Sequence, residues 1–321
     1  MADNVVTTSP ETATGTEVQG SEWSAGPRGA DGAVVAALHG SPADEPVTDW
    51  AADEAVRLGA PLRLLSVVDP GFQLMPYEAL VTATPSLAHQ IEEGARVLLD
   101  RAAARARERH PALDVAVAVV WGSPAASVLD AARGAARVVV GAPHKNQLER
   151  VLLGSVALPV VAHAECTAVV VPAGTTVRPV RRLVVGVDGS ERSARAVEVA
   201  LETAAACGAE VTCVVGWHVE VQDGVVVTER GSDRWAAVEK RHLARGRAVV
   251  DPAAARHPDV AVDVVVRQGA PSRVLLDACS ELGADALVVA SRGVGGFRGL
   301  LLGSVSRRVI EKANRVVIVA R

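Results

Sequence analysis

At 321 residues the chain has the length of two domains of about 150 residues, each large enough to bury its own core. Hydrophobic residues make up 49% of it but aromatics only 2%, so Ala, Val and Leu must build those cores. A formal charge of −4, with five Trp, two Phe and one Tyr, excludes the basic face and base-stacking rows of a nucleic-acid binder, and no uncharged run is long enough to span a membrane.

Residues 1–28 are rich in Thr, Ser, Gly, Glu and Ala and read as a mobile tail. They lack the basic start and apolar stretch of a secretory signal, so a cytoplasmic location is expected. In the first half, Ala33 to Leu38, Leu62 to Val68, Val115 to Trp121, Val138 to Gly141 and Ala168 to Val171 are predicted strands, and Gly122-Ser123-Pro124 opens a helix that Ser123 is placed to cap. Asp49, Asp53 and Glu54 on the first helix, and Arg105, Arg107 and Arg109 later, read as solvated faces. Pro172 to Pro179, with Gly174, Thr175 and Thr176, supplies a linker; the domains are drawn as 29–173 and 182–321, with 174–181 between them.

In the second half a strand ends at Val187-Asp188-Gly189-Ser190, and helical periodicity runs from Ser193 to Gly208. Glu210 to Trp217 is the next strand. After a longer polar stretch comes a helix near Arg234 to Ala248, which Pro252 is expected to end or kink. Val260 to Arg267 is a strand, Pro271 opens a helix, Leu287 to Ala290 is a strand, Ser304 to Ala313 a helix and Val316 to Val319 the last strand. Strands that are nearly continuous in Val and Leu and alternate with helices mean parallel sheets covered on both faces. Cys166, Cys207, Cys213 and Cys279 form no C-x-x-C pair and read as buried thiols.

The two halves repeat each other at an offset of 149 positions: Gly40-Ser41 matches Gly189-Ser190, Gly59-Ala60 matches Gly208-Ala209, and Gly154-Ser155 matches Gly303-Ser304. In a doubly wound sheet, ligands bind at the carboxyl ends of the strands where the winding reverses, which places Asp188 and Gly189 beside the loop from Ala290 to Ser306. Gly293, Gly295, Gly296 and Gly299 allow close backbone approach, and Gly303, Ser304, Val305 and Ser306 lead into a helix whose first N–H groups favour an anion. Arg292 and Arg298 add positive charge. Nucleotide phosphates suit such a loop, with Asp188 accepting from ribose or adenine and Trp217 placed to pack along adenine or, equally, into the core. A tight turn without a ligand is the competing reading. There is no G-x-x-x-x-G-K-[ST], no clean G-x-G-x-x-G and no G-x-S-x-G, against a P-loop NTPase, a dinucleotide enzyme or a serine hydrolase.

On these residues each half resembles the universal stress protein family, whose nucleotide-binding members carry G-x2-G-x9-G-[ST] after strand four and an Asp ending strand one. The resemblance covers about Ala33 to Pro172 and Arg182 to Arg321. It implies an α/β fold of two tandem doubly wound domains, each a five-stranded parallel sheet in the order 3-2-1-4-5, paired through their last strands, with a homodimer as a further assembly. It also implies ATP, with Mg2+, as ligand and a role in stress survival. Gly293, Gly303, Ser304 and Asp188 match in the second half, whereas Ala290 stands at the first glycine. In the first half Gly141, Gly154 and Ser155 match, but His144 replaces the second glycine and His39 the Asp. The first domain is therefore expected to be a degenerate partner. His39 and His144 sit on adjacent strand ends, either as a metal or anion site or simply as rim histidines. No residue is a clear base or water positioner, so catalysis is not expected; a slow ATPase, or an interaction module with vestigial loops, is the alternative.

Overall fold

The computed structural model describes residues 30–70, 85–143, 154–222, 225–227, 229–293 and 301–321. The expected tail over 1–28, His144, and Gly295, Gly296, Arg298 and Gly299 lie outside the described residues.

The first repeat runs β1 (Val34–Leu38), α1 (Asp44–Leu58), β2 (Leu62–Val68), α2 (Pro85–Arg109), β3 (Val115–Trp121), α3 (Pro124–Ala131), β4 (Arg137–Ala142), α4 (Ala157–His163) and β5 (Thr167–Pro172). The second runs β6 (Arg182–Gly186), α5 (Glu191–Cys207), β7 (Glu210–Trp217), a small ribbon of β8 (Val221–Gln222) and β9 (Val225–Val226), α6 (Asp233–Ala254), β10 (Val262–Gln268), α7 (Pro271–Glu281), β11 (Ala286–Ala290), α8 (Ser304–Lys312) and β12 (Val316–Ala320). The repeated Gly-Ala landmark has a backbone cause. Gly59 and Gly208 end α1 and α5 at φ 60 and 67, a left-handed turn that costs glycine least.

Within each repeat the strands lie parallel in the expected order 3-2-1-4-5. The two sheets are not separate, however. β5 pairs antiparallel with β12, through Val170 with Val317, Val169 with Ile318 and Ala168 with Val319, giving one ten-stranded sheet in the order β10-β7-β6-β11-β12-β5-β4-β1-β2-β3. Each fifth strand is apolar on both faces and would otherwise present an open edge, so joining them removes two edges at once. Helices α1, α2, α5 and α6 cover one face and α3, α4, α7 and α8 the other, and each buried layer of Ala, Val and Leu runs through both repeats. The antiparallel join turns the carboxyl edge of one repeat away from that of the other.

Three expectations change. α6 continues through Pro252 to Ala254, because a proline so near the carboxyl end removes little of the helical ladder. Ser123 starts α3 in extended conformation without a side-chain capping bond. The acidic residues of α1 are not a solvated face: Arg105 and Arg109 of α2 grip Asp49 and Asp53, each through two hydrogen bonds of 2.6–2.8 Å, and His110 Nε2 lies 2.7 Å from Asp53. The second repeat builds the same clamp from Arg256 and His257 on Glu198. Glu54, only 2% exposed, pairs with Arg57 and lies 3.3 Å from Arg137 Nε, an ion pair not aligned as a hydrogen bond; Arg137 also faces Glu202 of the second repeat at 3.8 Å. All four cysteines are free thiols, Cys213 and Cys279 buried and Cys166 and Cys207 half-buried, and burial pushes Cys213 and Cys279 up to about 12. No described helix is long and apolar enough to cross a membrane.

Burial alone would raise the Asp53 carboxyl, but its bonds to Arg109 and His110, with the charges of Arg109 and Arg57, outweigh it and hold the group below its usual range. A depressed carboxylate stabilises the fold above its unfolded pKa of about 3.9 and loses that contribution as pH falls through the lower folded value. Asp53→Asn is therefore expected to melt earlier than the parent at pH 7, with the gap closing in acid; a gap independent of pH would contradict the clamp. Glu54→Ala leaves Arg137 with only the more distant Glu202 as a counter-charge in a nearly dry site and is expected to destabilise the fold measurably by urea unfolding, by less than the roughly 3–5 kcal/mol of a fully unpaired buried charge.

Candidate functional site

At the carboxyl ends of β6 and β11, where the winding of the second repeat reverses, lies a cleft of 450 Å³. Its floor is apolar and tightly built: Val187, Val214, Gly216, Pro271, Leu275 and Val289 line it. A Cβ on Gly216 would stand 3.2 Å from Pro271 Cα, so glycine lets the strand approach α7 closely. One wall is the β6–α5 loop. There Ser190 donates from its N–H at 3.0 Å and its hydroxyl at 2.6 Å to Asp188 Oδ1, then caps α5 by accepting from Ser193 N–H. The opposite wall is the start of α8. Ser306 Oγ donates to Ala290 O at 2.6 Å and Gly303 N–H to Ser291 O at 2.8 Å, pinning the helix against the end of β11. Among the described residues no side chain caps α8, so the first-turn N–H groups of Ser304, Val305 and Ser306 head the cleft.

Of the expected site residues, Asp188, Ala290, Arg292, Gly293, Gly303, Ser304, Val305 and Ser306 come together around this cleft. Gly293 is required by its neighbour: a Cβ there would fall 2.2 Å from Asp188 Oδ2. Gly189 and Trp217 do not line the cleft. Gly189 faces a smaller groove beside α6, beneath the side chain of Arg245. Trp217 is corrected to the core, being 3% exposed, with its ring 4.9 Å from Trp235 and stacked 6.0 Å from His242. It follows the strand that supplies Gly216 but points into a separate apolar cluster with Val227 and Val238. Ala290 is accommodated. It ends β11 at 9% exposure, and its carbonyl accepts from Ser306 Oγ.

The matching loop of the first repeat is already filled. Asp44 Oδ2 accepts from the N–H groups of His39 at 3.1 Å and Gly40 at 2.7 Å, and Oδ1 from Ser41 Oγ at 3.0 Å, with the side chain 10% exposed. The second repeat has neutral Ser193 in its place. The His39 side chain is 69% exposed with Nδ1 3.7 Å from Asp44, and among the described residues no group of three His, Cys, Asp or Glu side chains could hold a metal. Charge divides the repeats just as sharply. Arg192, Arg195, Arg292 and Arg321 stand where the first repeat has Ala43, Pro46, Pro143 and Pro172. Simple comparison at the 149-residue offset would have found both Asp44 and this cluster; the apolar floor carries no motif of its own.

Residues 32–172 and 179–321 each match the universal stress protein family. Universal stress protein Rv2005c of Mycobacterium tuberculosis is 32% identical over 295 residues, covering 90% of this chain and 96% of that protein. Universal stress protein Rv1996 of the same organism is 31% identical over 312 residues, covering 90% and 94%. The crystal structure of a universal stress protein from Archaeoglobus fulgidus superimposes with a TM-score of 0.62 at 19% identity, covering 89% of this chain and 98% of that one, which supports the fold. With both repeats matched and the paired sheets in place, the chain belongs to the universal stress protein family as two such domains in tandem.

Proposed function

We propose that the second domain binds ATP in its cleft and that the protein acts as a nucleotide-responsive factor in stress survival, with the first domain as its partner. One observation carries this reading: a single cleft joins an apolar floor, the Asp188 carboxylate, the Arg292 guanidinium and the uncapped start of a nine-residue helix. Its 450 Å³ falls within the roughly 300–1,000 Å³ of small-molecule sites. The floor suits a purine, Asp188 accepts from ribose or the adenine amine, and Gly303 to Ser306 with Arg292 receive phosphate. Mg2+ is assigned to the phosphate chain, since that ion is usually held through substrate phosphates with few protein ligands.

For the first domain the reading is different. Asp44 binds the amides of its own β1–α1 loop, His39 stands in place of Asp188 and Pro143 in place of Arg292, and this favours an interaction role there. Binding of ATP acts on the whole chain only through different affinity for two conformations or partners. Nothing in the cleft is assigned as a base, so the proposed activity is binding rather than turnover.

Equilibrium dialysis is expected to show saturable ATP binding at about one per chain. Asp188→Ala, which removes a hydrogen bond to a charged acceptor, should lose about 1.5–3 kcal/mol, roughly 10- to 150-fold in Kd. Gly303→Val puts branches against Arg292, whose Cα would already lie 3.4 Å from a Cβ, and should abolish binding. Gly293→Ala, through its clash with Asp188, should weaken it at least as much as Asp188→Ala. A flat titration of the parent protein with ATP would reject the reading.

A further inference from the structure

We infer that Arg321, together with Arg192, forms a second anion subsite at the seam between the two domains, continuous with the cleft and receiving the distal phosphates of a polyphosphate chain. The inference rests on the reading of the cleft as a nucleotide site. On this inference the site should take a triphosphate in preference to a monophosphate.

Arg321 directly follows β12, where Ala320 O accepts from Ser291 N–H at 3.0 Å, so it leaves the sheet beside the Arg292 segment. Asp188, Arg292 and Arg321 thus follow three adjacent strands, β6, β11 and β12, whose axes are about 4.8 Å apart. A ligand with its nucleoside at Asp188 reaches Arg292 with its first phosphates and Arg321 with its last. The position of Arg321 is set by the other domain. Its Nη2 donates to Val161 O at 2.6 Å and to Ala162 O, at the carboxyl end of α4, where the helix dipole favours a cation, and its own carbonyl accepts from Arg195 Nε at 3.2 Å.

Three features mark an anion site in this cluster. Among the described residues no Asp or Glu side chain forms an ion pair with Arg192, Arg292 or Arg321. The Nε atoms of both Arg292 and Arg321 are buried without a hydrogen-bond partner. Burial, then the charges of Arg292 and Arg192, draw the Arg321 pKa down from its ordinary value, so the three repel one another in a half-buried setting. Converging guanidinium groups of this kind are the usual receptor for phosphate, because each offers several fixed N–H donors and its charge is relieved by the anion. The first domain has Pro143 and Pro172 at the matching positions.

Isothermal titration of the full chain with ATP, AMP and inorganic tripolyphosphate tests the subsite. The parent should prefer ATP to AMP. Arg321→Met should weaken ATP and tripolyphosphate about tenfold or more while leaving AMP within about twofold, and Arg192→Ala should do the same to a smaller degree. Arg192 is exposed, so its variant carries the test if Arg321→Met loosens the fold, as thermal unfolding would reveal. Equal affinity for ATP and AMP in the parent, or an equal loss for both in the variants, overturns the subsite and leaves the nucleotide reading intact. Tripolyphosphate binding that depends on Arg321 without any binding of adenine nucleotide supports the subsite and overturns the nucleotide reading. Binding of none of the three overturns both.

Discussion

The antiparallel pairing of β5 with β12 decides how the rest of the molecule is arranged. It turns two sheets with open fifth strands into one sheet whose edges, among the described residues, are β3 and β10, and lets each apolar layer run through both repeats beneath their helices. The pairing also inverts one repeat relative to the other. The carboxyl edge of the second sheet therefore lies alongside the amino edge of the first, bringing the carboxyl end of α4 and the start of β4 to the side on which the cleft opens. The buried contact of Arg137 with Glu54 and Glu202, and the seat of Arg321 on Val161 and Ala162, both follow from that inversion.

Much of this was legible in the residues. The strands are short and almost wholly Val, Leu and Ala, and the turn landmarks recur at one offset, so fold and repeat could be read directly. Asp188, Gly293 and Gly303 were found because the backbone must come close there, and a close approach leaves glycine behind as a mark. Long-range pairing leaves no such mark. The clamp of Asp53 by Arg109 and His110 joins residues more than fifty positions apart, and the charges looked like an ordinary solvated face. Trp217 kept two readings, adenine or core, because a strand end offers two directions, and the neighbouring Trp235 and His242 that take it into the core are not announced by sequence order.

The two copies show which constraints belong to the scaffold and which to the site. Both keep the left-handed Gly after the first helix, and both keep Arg-His-Pro after the second, with the clamped carboxylate moved by one helical turn between Asp53 and Glu198. These features hold helices to each other in either copy. At the strand ends the copies part. The first places Asp44 on its own β1–α1 loop amides. The second keeps those neighbours neutral and gathers arginines.

A domain whose own loop is closed is not thereby idle. The carboxyl end of α4 fixes a guanidinium that the second domain supplies but cannot hold by itself, since the carbonyls of Val161 and Ala162 come from the first repeat. If an anion settles among Arg292, Arg192 and Arg321, it relieves the repulsion that works against this seat, so the ligand and the seam between domains stabilise each other. The degenerate copy then serves as part of the binding apparatus of its partner. The asymmetry between the repeats reads as a division of labour, in which one copy closes its loop and lends structure while the other keeps the opening.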